Sequence, residues 1–329
     1  MASFKPRNIL LFGATGNIGT YILQAILTAR DEFDRIAIFT SQATAASKKD
    51  YLDDLKRTKN VEVLVGDVQD QDAVRKAYHG IDTVISALGR GAIASQIPLI
   101  RLADASPTVK WFLPSEYGTD IKYSPASAQE KPHQQKLKVR AFLENESPNE
   151  GVVSDLAYTY VVTGPYSDMY VHYAGNPIAG GWDVKAKKAT LLGEDGNAKL
   201  GSPCNETKWL WMFSVGTLVL ATLRHPSVAF NRALKVNSFT TTPAEIHAEF
   251  VRQTGCQPWT NVQYTPLSQL REAESEAWQA GKPEATVLTL RRIWTEGGTL
   301  YDQRDNALIG EPPVQTLEDV VAQEIRKSS

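Results

Sequence analysis

Apolar and polar residues alternate along the first half of the chain in a pattern typical of a parallel sheet. Short apolar runs are separated by segments whose apolar residues recur every three or four positions, the spacing of an amphipathic helix. Six runs of this kind lie at residues 8–12, 35–40, 61–65, 83–88, 109–113 and 158–162. Strands that alternate with helices form a parallel sheet with helices on both faces. The pattern therefore predicts an α/β fold with a doubly wound sheet.

The rhythm changes after about residue 163. A glycine-flanked turn between residues 189–193 and 198–200 predicts a hairpin. Residues 215–223 have a helical pattern, and residues 234–239 read as a strand. We expect one domain over residues 1–162 and a smaller C-terminal α+β domain over residues 163–329. The pattern leaves open whether segments of the second half return to the sheet.

Composition and charge exclude several classes of protein. The chain has 329 residues, 42% hydrophobic and 22% charged, with 35 basic and 37 acidic side chains. A nearly neutral chain of this kind is neither a basic nucleic-acid binder nor a disordered polyelectrolyte. No apolar run approaches the ~18 residues of a membrane span, and the first apolar run ends in glycines rather than a cleavage site. Cys204 and Cys256 cannot form a disulfide framework, so we expect a cytoplasmic protein.

A glycine-rich segment follows the first strand directly and begins a helix. Its spacing is Gly-x-x-Gly-x-x-Gly, which permits a tight turn, close approach of a pyrophosphate and close packing of helix on strand. This context predicts a Rossmann-type dinucleotide site, because free N–H groups at the helix start bind phosphates. The expected contacts are Gly13, Thr15, Gly16, Asn17, Ile18 and Gly19.

The end of the second strand indicates which dinucleotide binds. An NAD site would carry an acid there for the ribose diol, and this strand ends Phe-Thr-Ser-Gln. The hydroxyls of Thr40 and Ser41, with the cation of Lys48, favour the 2′-phosphate of NADPH. The alternative is that Lys48 and Lys49 only begin a solvated helix.

The ends of three further strands predict the rest of the site, because ligands of open α/β sheets bind beyond the carboxyl ends of the strands. Asp67 alternatively serves as a simple turn residue. The expected cofactor contacts are Asp67 and Val68 after the third strand and Ser86, Ala87 and Leu88 after the fourth. The expected substrate contacts are Ser115, Glu116 and Tyr117 after the fifth strand and Tyr166, Met169 and Tyr170 after the sixth.

A proton donor is not evident from the usual motif. No tyrosine is followed by a lysine four positions later, the Tyr-x-x-x-Lys pair of typical short-chain dehydrogenases. The helix after the fifth strand carries Lys136, Lys138 and Arg140, of which Lys136 and Lys138 point about 200° apart. From the residues alone, a solvated basic face is the alternative, and His133 is expected at the surface.

Four motifs occur in one order along the chain. They are GATGNIG at residues 13–19, FLPSEYG at 112–118, KLKVRAFLE at 136–144 and the strand Tyr-Thr-Tyr-Val at 158–161. This order resembles the isoflavone reductase-like branch of the NmrA-like family, among the atypical short-chain dehydrogenases. The resemblance implies an NADPH-binding domain, a smaller substrate domain and a catalytic lysine at Lys136, beside the cofactor. Departures at Ser41, residues 163–166 and Ser214 leave the substrate unspecified.

The resemblance implies an NADPH-dependent reductase of a small aromatic, phenolic or polyketide-like molecule. Hydride would pass to a carbonyl or quinone-methide-like carbon, and Lys136 would exchange the proton. An NADP(H)-sensing regulator without turnover and a redox-neutral isomerase or dehydratase are the alternatives. We expect a monomer or homodimer with no nucleic-acid or membrane partner. Trp209, Trp211 and Phe213 form either a further aromatic pocket or plain core.

Overall fold

The strands that the structure describes form one central sheet and two small sheets. The computed structural model describes residues 4–147, 151–172, 177–202 and 214–328. The described strands are β1 (Asn8–Phe12), β2 (Arg35–Thr40), β3 (Glu62–Val65), β4 (Thr83–Ser86), β5 (Trp111–Leu113), β6 (Ala157–Val162), β7 (Gly181–Asp183), β8 (Lys188–Leu192), β9 (Leu200–Ser202), β10 (Arg232–Lys235), β11 (Phe239–Thr241) and β12 (Asn261–Thr265).

Helices connect and cover these strands. The described α-helices are α1 (Asn17–Thr28), α2 (Gln42–Ser47), α3 (Lys49–Lys59), α4 (Gln71–Tyr78), α5 (Gln96–Asp104), α6 (Gln134–Leu143), α7 (Ser167–Val171), α8 (Ser214–Arg224), α9 (Pro226–Ala229), α10 (Pro243–Gln253), α11 (Leu267–Gln279), α12 (Ala285–Thr295) and α13 (Leu317–Ser328).

The central sheet has seven parallel strands in the order β3-β2-β1-β4-β5-β6-β10. The six strands predicted from the first half are all present, so the doubly wound α/β fold is confirmed. The seventh strand, β10, comes from the second half and pairs with β6 at the sheet edge. A segment of the second half thus returns to the sheet, while the division of the chain at residue 162 stays a prediction.

Both faces of the central sheet are buried. Leu10 and Leu11 are neighbours on β1, their side chains point to opposite faces, and each is fully buried. Leu11 belongs to the cluster that includes Ile22 of α1, whereas Leu10 packs in the cluster that includes Leu99 of α5. Continuous apolar strands of this kind occur where helices cover a parallel sheet on both sides.

Helix α8 lies directly against α1 beneath the sheet. A Cβ atom at Gly216 would lie 2.8 Å from the carbonyl carbon of Tyr21, so the two backbones are in contact. The neighbours Val215 and Leu218 are buried in the cluster on that face of the sheet. Residues from beyond position 162 therefore complete one helical layer of the first half.

The small sheets differ from the predicted hairpin. Strand β8 pairs antiparallel with β7 and parallel with β12, whereas β9 pairs antiparallel with β11. The prediction that residues 189–193 and 198–200 pair with each other is wrong. Both edges of β8 are already occupied, one by β7 and the other by β12. Strand β7 reaches β8 through a tight turn in which the Lys187 N–H donates to the Val184 carbonyl (3.4 Å).

Some expectations concern residues outside the described chain. Cys204 and the aromatic residues Trp209, Trp211 and Phe213 all lie in the undescribed segment 203–213. Within the described ranges, none of the helices combines the length and the apolar character needed to cross a bilayer.

The contact between α8 and α1 predicts that adding a single methyl group at Gly216 destabilises the protein. Gly→Ala normally favours a helix by about 1 kcal/mol, but at Gly216 the new Cβ would meet backbone atoms that cannot rotate away. We expect Gly216→Ala to lower the free energy of unfolding by about 1–3 kcal/mol. Urea denaturation measures it, with Gly91→Ala as control, since no described atom lies within 4 Å of that Cβ position. Equal stability of the two variants would contradict the close packing.

Candidate active site

The glycine loop between β1 and α1 forms a cradle that side chains would fill. Gly13 has φ +73°, a conformation that favours glycine, and a Cβ there would lie 2.7 Å from the Ala87 carbonyl carbon. A Cβ at Gly19 would lie 2.7 Å from the Gly13 carbonyl carbon. The loop closes through the Gly16 N–H, which donates to the Gly13 carbonyl (2.9 Å). Gly13 and Gly19 are therefore required by close backbone approach.

The first turn of α1 has the properties of a phosphate site. Gly16 is its N-cap, and no described side chain accepts from the free N–H groups of this turn, nor does the turn contain an acid. Gly16 and Asn17 are exposed there, and Thr15 and Ile18 are half-buried. Unpaired N–H groups at a positive helix end bind anions, so the loop fits the pyrophosphate of a dinucleotide.

Lys48 lies over the same loop. Its Nζ donates to the carbonyl of Thr15 (2.6 Å), which brings the end of β2 and the glycine loop together. Lys49 points elsewhere and pairs with Asp53 (2.6 Å). Of the two lysines, only Lys48 adds positive charge to the predicted phosphate region.

Thr40 and Ser41 lie at the end of the second strand as expected, and the polar residues that follow form a helix. Residues 42–47 form α2, and the Ser41 hydroxyl caps this helix by accepting from the Thr44 N–H (3.2 Å). Thr40 is buried. The Ser41 hydroxyl thus has a local structural role in addition to the proposed one.

The end of β4 lies beside the glycine loop, the end of β3 lies two strands away from it, and the residues at both ends serve partly structural roles. Asp67 accepts from the Gln69 N–H (2.9 Å), which is the turn role considered as its alternative. Val68 is half-buried in the sheet cluster. Ser86 is buried, and its hydroxyl has no hydrogen-bond partner among the described residues. The Leu88 carbonyl accepts from the Ser115 hydroxyl (2.8 Å), which ties the ends of β4 and β5 together.

Lys136 points from α6 into the carboxyl edge of the sheet. Its Nζ donates to the backbone carbonyl of Glu116, in the loop after β5. Gly118 lies next to this Nζ, since a Cβ there would be in ordinary van der Waals contact with it at 3.8 Å. The pKa of Lys136 is lowered to about 8, chiefly by burial and additionally by the cations of Arg90 and Arg140, and the nearby Glu116 carboxylate offsets only part of this lowering. A lysine with such a pKa can exchange protons near neutral pH.

Arg140 and Glu116 form a buried ion pair one helical turn from Lys136. Arg140 Nε and Nη2 donate to the two Glu116 carboxylate oxygens at 3.1 and 3.0 Å, and both side chains are 2% exposed. The Glu116 carboxylate therefore faces Arg140, while its carbonyl faces Lys136. As a predicted substrate contact, Glu116 presents backbone rather than its carboxylate to the site.

The alternative of a solvated basic face fits only Lys138. Lys138 is exposed, whereas Lys136 is partly buried and Arg140 is buried. The expectation that His133 lies at the surface is wrong: it is buried, stacks edge-on against Tyr123 and has its pKa lowered by burial. The helical turn before α6 packs inward, so its histidine is taken into the interior.

The predicted substrate-contact tyrosines occupy different environments. Tyr166 donates its hydroxyl to the backbone carbonyl of Tyr117, beside the loop that Lys136 contacts. Tyr117 is buried, with φ +22°. Tyr170 is 2% exposed in the core of the C-terminal half, under the guanidinium of Arg291, whereas Met169 is 58% exposed. Tyr166 and Tyr117 thus adjoin the loop that Lys136 contacts, whereas Tyr170 lies on α7 and packs in the core of the C-terminal half.

Arg90 is a cation of the site that the sequence analysis missed. It begins a 3-10 turn (Arg90–Ser95) directly after β4, between two glycines, and this turn packs on α6. Burial lowers the pKa of Lys136 and raises that of Tyr166; the charge of Arg90 adds to the first shift and opposes the second, so Arg90 lies near both groups. The sequence signal that could have identified Arg90 is its position between two glycines after a strand.

Helix α12 fixes the C-terminal half to the loops around the site. Arg291 donates to the carbonyls of Met169 and Tyr170 (3.2 and 3.0 Å), and Trp294 Nε1 donates to the Thr119 hydroxyl (2.8 Å). Arg292 pairs with Glu130 (2.7 Å), just before α6. These contacts join residues far apart in sequence, so no local pattern could have indicated them.

The parallel sheet with a glycine loop between β1 and α1 defines the class, a Rossmann-type α/β protein. The model of the NmrA-like family matches residues 5–277, so the chain belongs to the NmrA-like family. The resemblance found in the sequence is confirmed. Among the described residues, no group of three or more potential metal ligands is present.

Named relatives agree with this assignment. The isoflavone reductase homolog A622 of Nicotiana glauca is 28% identical over 206 residues, which is 60% of this chain. The match spans only 60% of that relative's own length. A crystal structure of isoflavone reductase has a TM-score of 0.75 at 21% identity and covers 97% of this chain and 100% of that one. The leucoanthocyanidin reductase–NADPH complex of Vitis vinifera has a TM-score of 0.72 at 19% identity, covering 97% and 99%.

The Arg292 ion pairs predict that this residue stabilises the protein. Besides Glu130, Arg292 pairs with Glu274 (2.5 Å), and its side chain is only 13% exposed. Arg292→Met would leave two largely buried carboxylates without their partner, so we expect the free energy of unfolding to fall by about 3 kcal/mol. Thermal or urea denaturation checks this. The control is Arg271→Met, because Arg271 is 59% exposed and its pair with Glu296 should contribute little.

Proposed function

We propose that this protein is an NADPH-dependent reductase of a small aromatic, phenolic or polyketide-like substrate. The observation that carries the proposal is the desolvated ammonium of Lys136, held on the Glu116 carbonyl at the carboxyl edge of the sheet. Ligands of open α/β sheets bind at this edge. The proposal is supported by the names of the similar proteins, an isoflavone reductase homolog and a leucoanthocyanidin reductase bound to NADPH.

The described residues fit NADPH in size and charge. The glycine loop and the uncapped start of α1 would hold the pyrophosphate. Lys48, with Thr40 and Ser41, would hold the 2′-phosphate, and the small residues Ser86 and Ala87 would face the ribose and nicotinamide. When bound, NADPH supplies a hydride. Asp67 and Val68 would adjoin the adenine.

Lys136 would handle the proton of the reaction. Its ammonium would donate to the oxygen on which negative charge develops and recover a proton from solvent. Ser115, Tyr117 and Tyr166 would form the near wall of the substrate pocket, with Met169 at its rim. Arg90 adds a second positive charge beside Lys136, which favours a substrate with an oxygen that becomes anionic.

Neighbouring lysines test the cofactor assignment. Lys48→Ala removes the cation over the glycine loop, and Lys49→Ala removes one that pairs with Asp53. A charged hydrogen bond contributes about 1.5–3 kcal/mol, so Lys48→Ala should weaken NADPH binding about tenfold or more. NADH binding should change little, and Lys49→Ala should leave both unchanged. Isothermal titration calorimetry gives the affinities, and equal NADPH affinity in both variants would refute the role of Lys48.

Gly16→Asp separates the phosphate site from the fold. The new carboxylate would cap α1, since Asp is a favoured N-cap, and would repel the pyrophosphate. We expect the melting temperature to be maintained while binding of both NADPH and NADH is lost. Calorimetry combined with thermal denaturation distinguishes this result from unfolding, and retained binding would place the cofactor elsewhere.

Lys136 variants test the chemistry with a panel of quinones and aromatic ketones. Lys136→Ala should lower kcat about 10²–10⁴-fold with little change in NADPH affinity. Lys136→Arg should not restore activity, because guanidinium stays protonated. Lys138→Ala, on an exposed part of the same helix, is the matched control. Near-normal kcat in Lys136→Ala would show that the proton has another source.

The pH profile gives an independent check of the same role. A general acid must be protonated, and the pKa of Lys136 is about 8. In the unmodified protein, kcat/KM should be level below this pH and fall as the pH rises through it. Steady-state NADPH oxidation measures the profile. NADPH binding without oxidation of any panel substrate would favour the regulatory alternative.

A further inference from the structure

Two cations on one face of α6 hold the same residue of the loop after β5. Lys136 and Arg140 are four positions apart, so they lie on one face of the helix. Lys136 donates to the backbone carbonyl of Glu116, and Arg140 donates to its carboxylate through two hydrogen bonds. The loop is therefore fixed to the helix through both the backbone and the side chain of Glu116.

The Glu116–Arg140 pair is sealed from solvent and belongs to a longer chain of charges. Arg140 Nη1 also donates to Asp120 (3.4 Å), and Asp120 pairs with Lys235 of β10 (3.2 Å). The guanidinium of Arg140 lies 4.4 Å from the centroid of the Tyr160 ring. Both side chains are buried, so if one of them were removed, water could not take its place as the partner of the other.

Charged and titratable groups from several elements lie near Lys136. They are Glu116 from the loop after β5, Arg140 from α6, Arg90 from the turn after β4 and His133 from the turn before α6. Glu116 carries the one negative charge that acts on Lys136 in this set. Its carboxylate would make a strong counter-ion for the lysine if Arg140 did not already neutralise it.

We propose that Glu116 and Arg140 are positioning residues: they fix the carbonyl that orients Lys136, and Arg140 keeps the Glu116 carboxylate from becoming the counter-ion of the lysine. The pair thereby holds Lys136 ready to give up its proton. The use of this proton in reduction rests on the proposed function, but the electrostatic arrangement does not.

The test measures the titration of Lys136 without requiring a substrate. Competitive labelling with fluorodinitrobenzene at a series of pH values, read by peptide mass spectrometry, gives the labelling midpoint of each lysine. Lys138 is an internal reference because it is exposed on the same helix. The variants are Glu116→Gln, Arg140→Gln and the double variant, each checked for folding by circular dichroism.

The proposal predicts shifts of opposite sign. Glu116→Gln removes a negative charge and leaves Arg140, so the Lys136 midpoint should fall by about one pH unit. Arg140→Gln leaves the carboxylate free to pair with Lys136, so the midpoint should rise by about one unit. The double variant removes both charges and should return close to the original midpoint. The Lys138 midpoint should stay constant throughout.

A purely structural role gives a different result. Loosening the loop would hydrate Lys136 in both single variants, and both midpoints would rise toward that of an ordinary lysine. A rise in Glu116→Gln therefore overturns the proposal, and this variant decides the question even if Arg140→Gln does not fold. If no substrate is ever turned over, the proposed function fails while the labelling result stands.

With a substrate in hand, the kinetic readout follows the same signs. The alkaline limb of the kcat/KM profile should move to lower pH in Glu116→Gln and to higher pH in Arg140→Gln. KM should change less than kcat, because neither side chain contacts the substrate region. Movement of KM alone would contradict a positioning role.

Discussion

The bidentate pair between Arg140 and Glu116 is the interaction on which the candidate site depends. Two buried opposite charges attract strongly in a medium of low polarity, but each loses its hydration, so such a pair is retained where geometry matters more than net stability. Here it joins the helix carrying Lys136 to the loop that the lysine contacts. The backbone carbonyl that Lys136 contacts thus belongs to the same residue whose carboxylate Arg140 binds.

Hydrogen bonds from several parts of the chain also hold the loop after β5. The loop after β5 is bonded to the end of β4 through Ser115, to the segment after β6 through Tyr166, and to α12 through Thr119. Each bond comes from a different part of the chain. A loop held in this way keeps its shape before any ligand arrives, which reduces the entropy that binding must overcome.

The sequence predicted those features that local patterns encode. The apolar runs and the glycine spacing indicated six strands and the loop at Gly13–Gly19, because backbone geometry imposes both. Lys136 needed a family resemblance, since a helical lysine alone is usually solvated. His133 was misplaced because burial of a histidine depends on packing from elsewhere. The pairing of β8 could not be foreseen, because one of its partners, β12, lies far along the chain and the nearby β9 pairs with β11 instead. Arg291, Arg292 and Trp294 lie more than a hundred residues from the loops they hold.

The late seventh strand has a consequence for synthesis of the chain. β10 pairs with β6, with Arg232 opposite Thr159, and α8 covers α1. While the ribosome is still making the second half, β6 is an unprotected edge and the apolar side of α1 faces water. Non-local pairing of this kind is slow, and the intermediates that precede it are prone to aggregate. The nascent chain is therefore most prone to aggregation in the interval before α8 and β10 have been made.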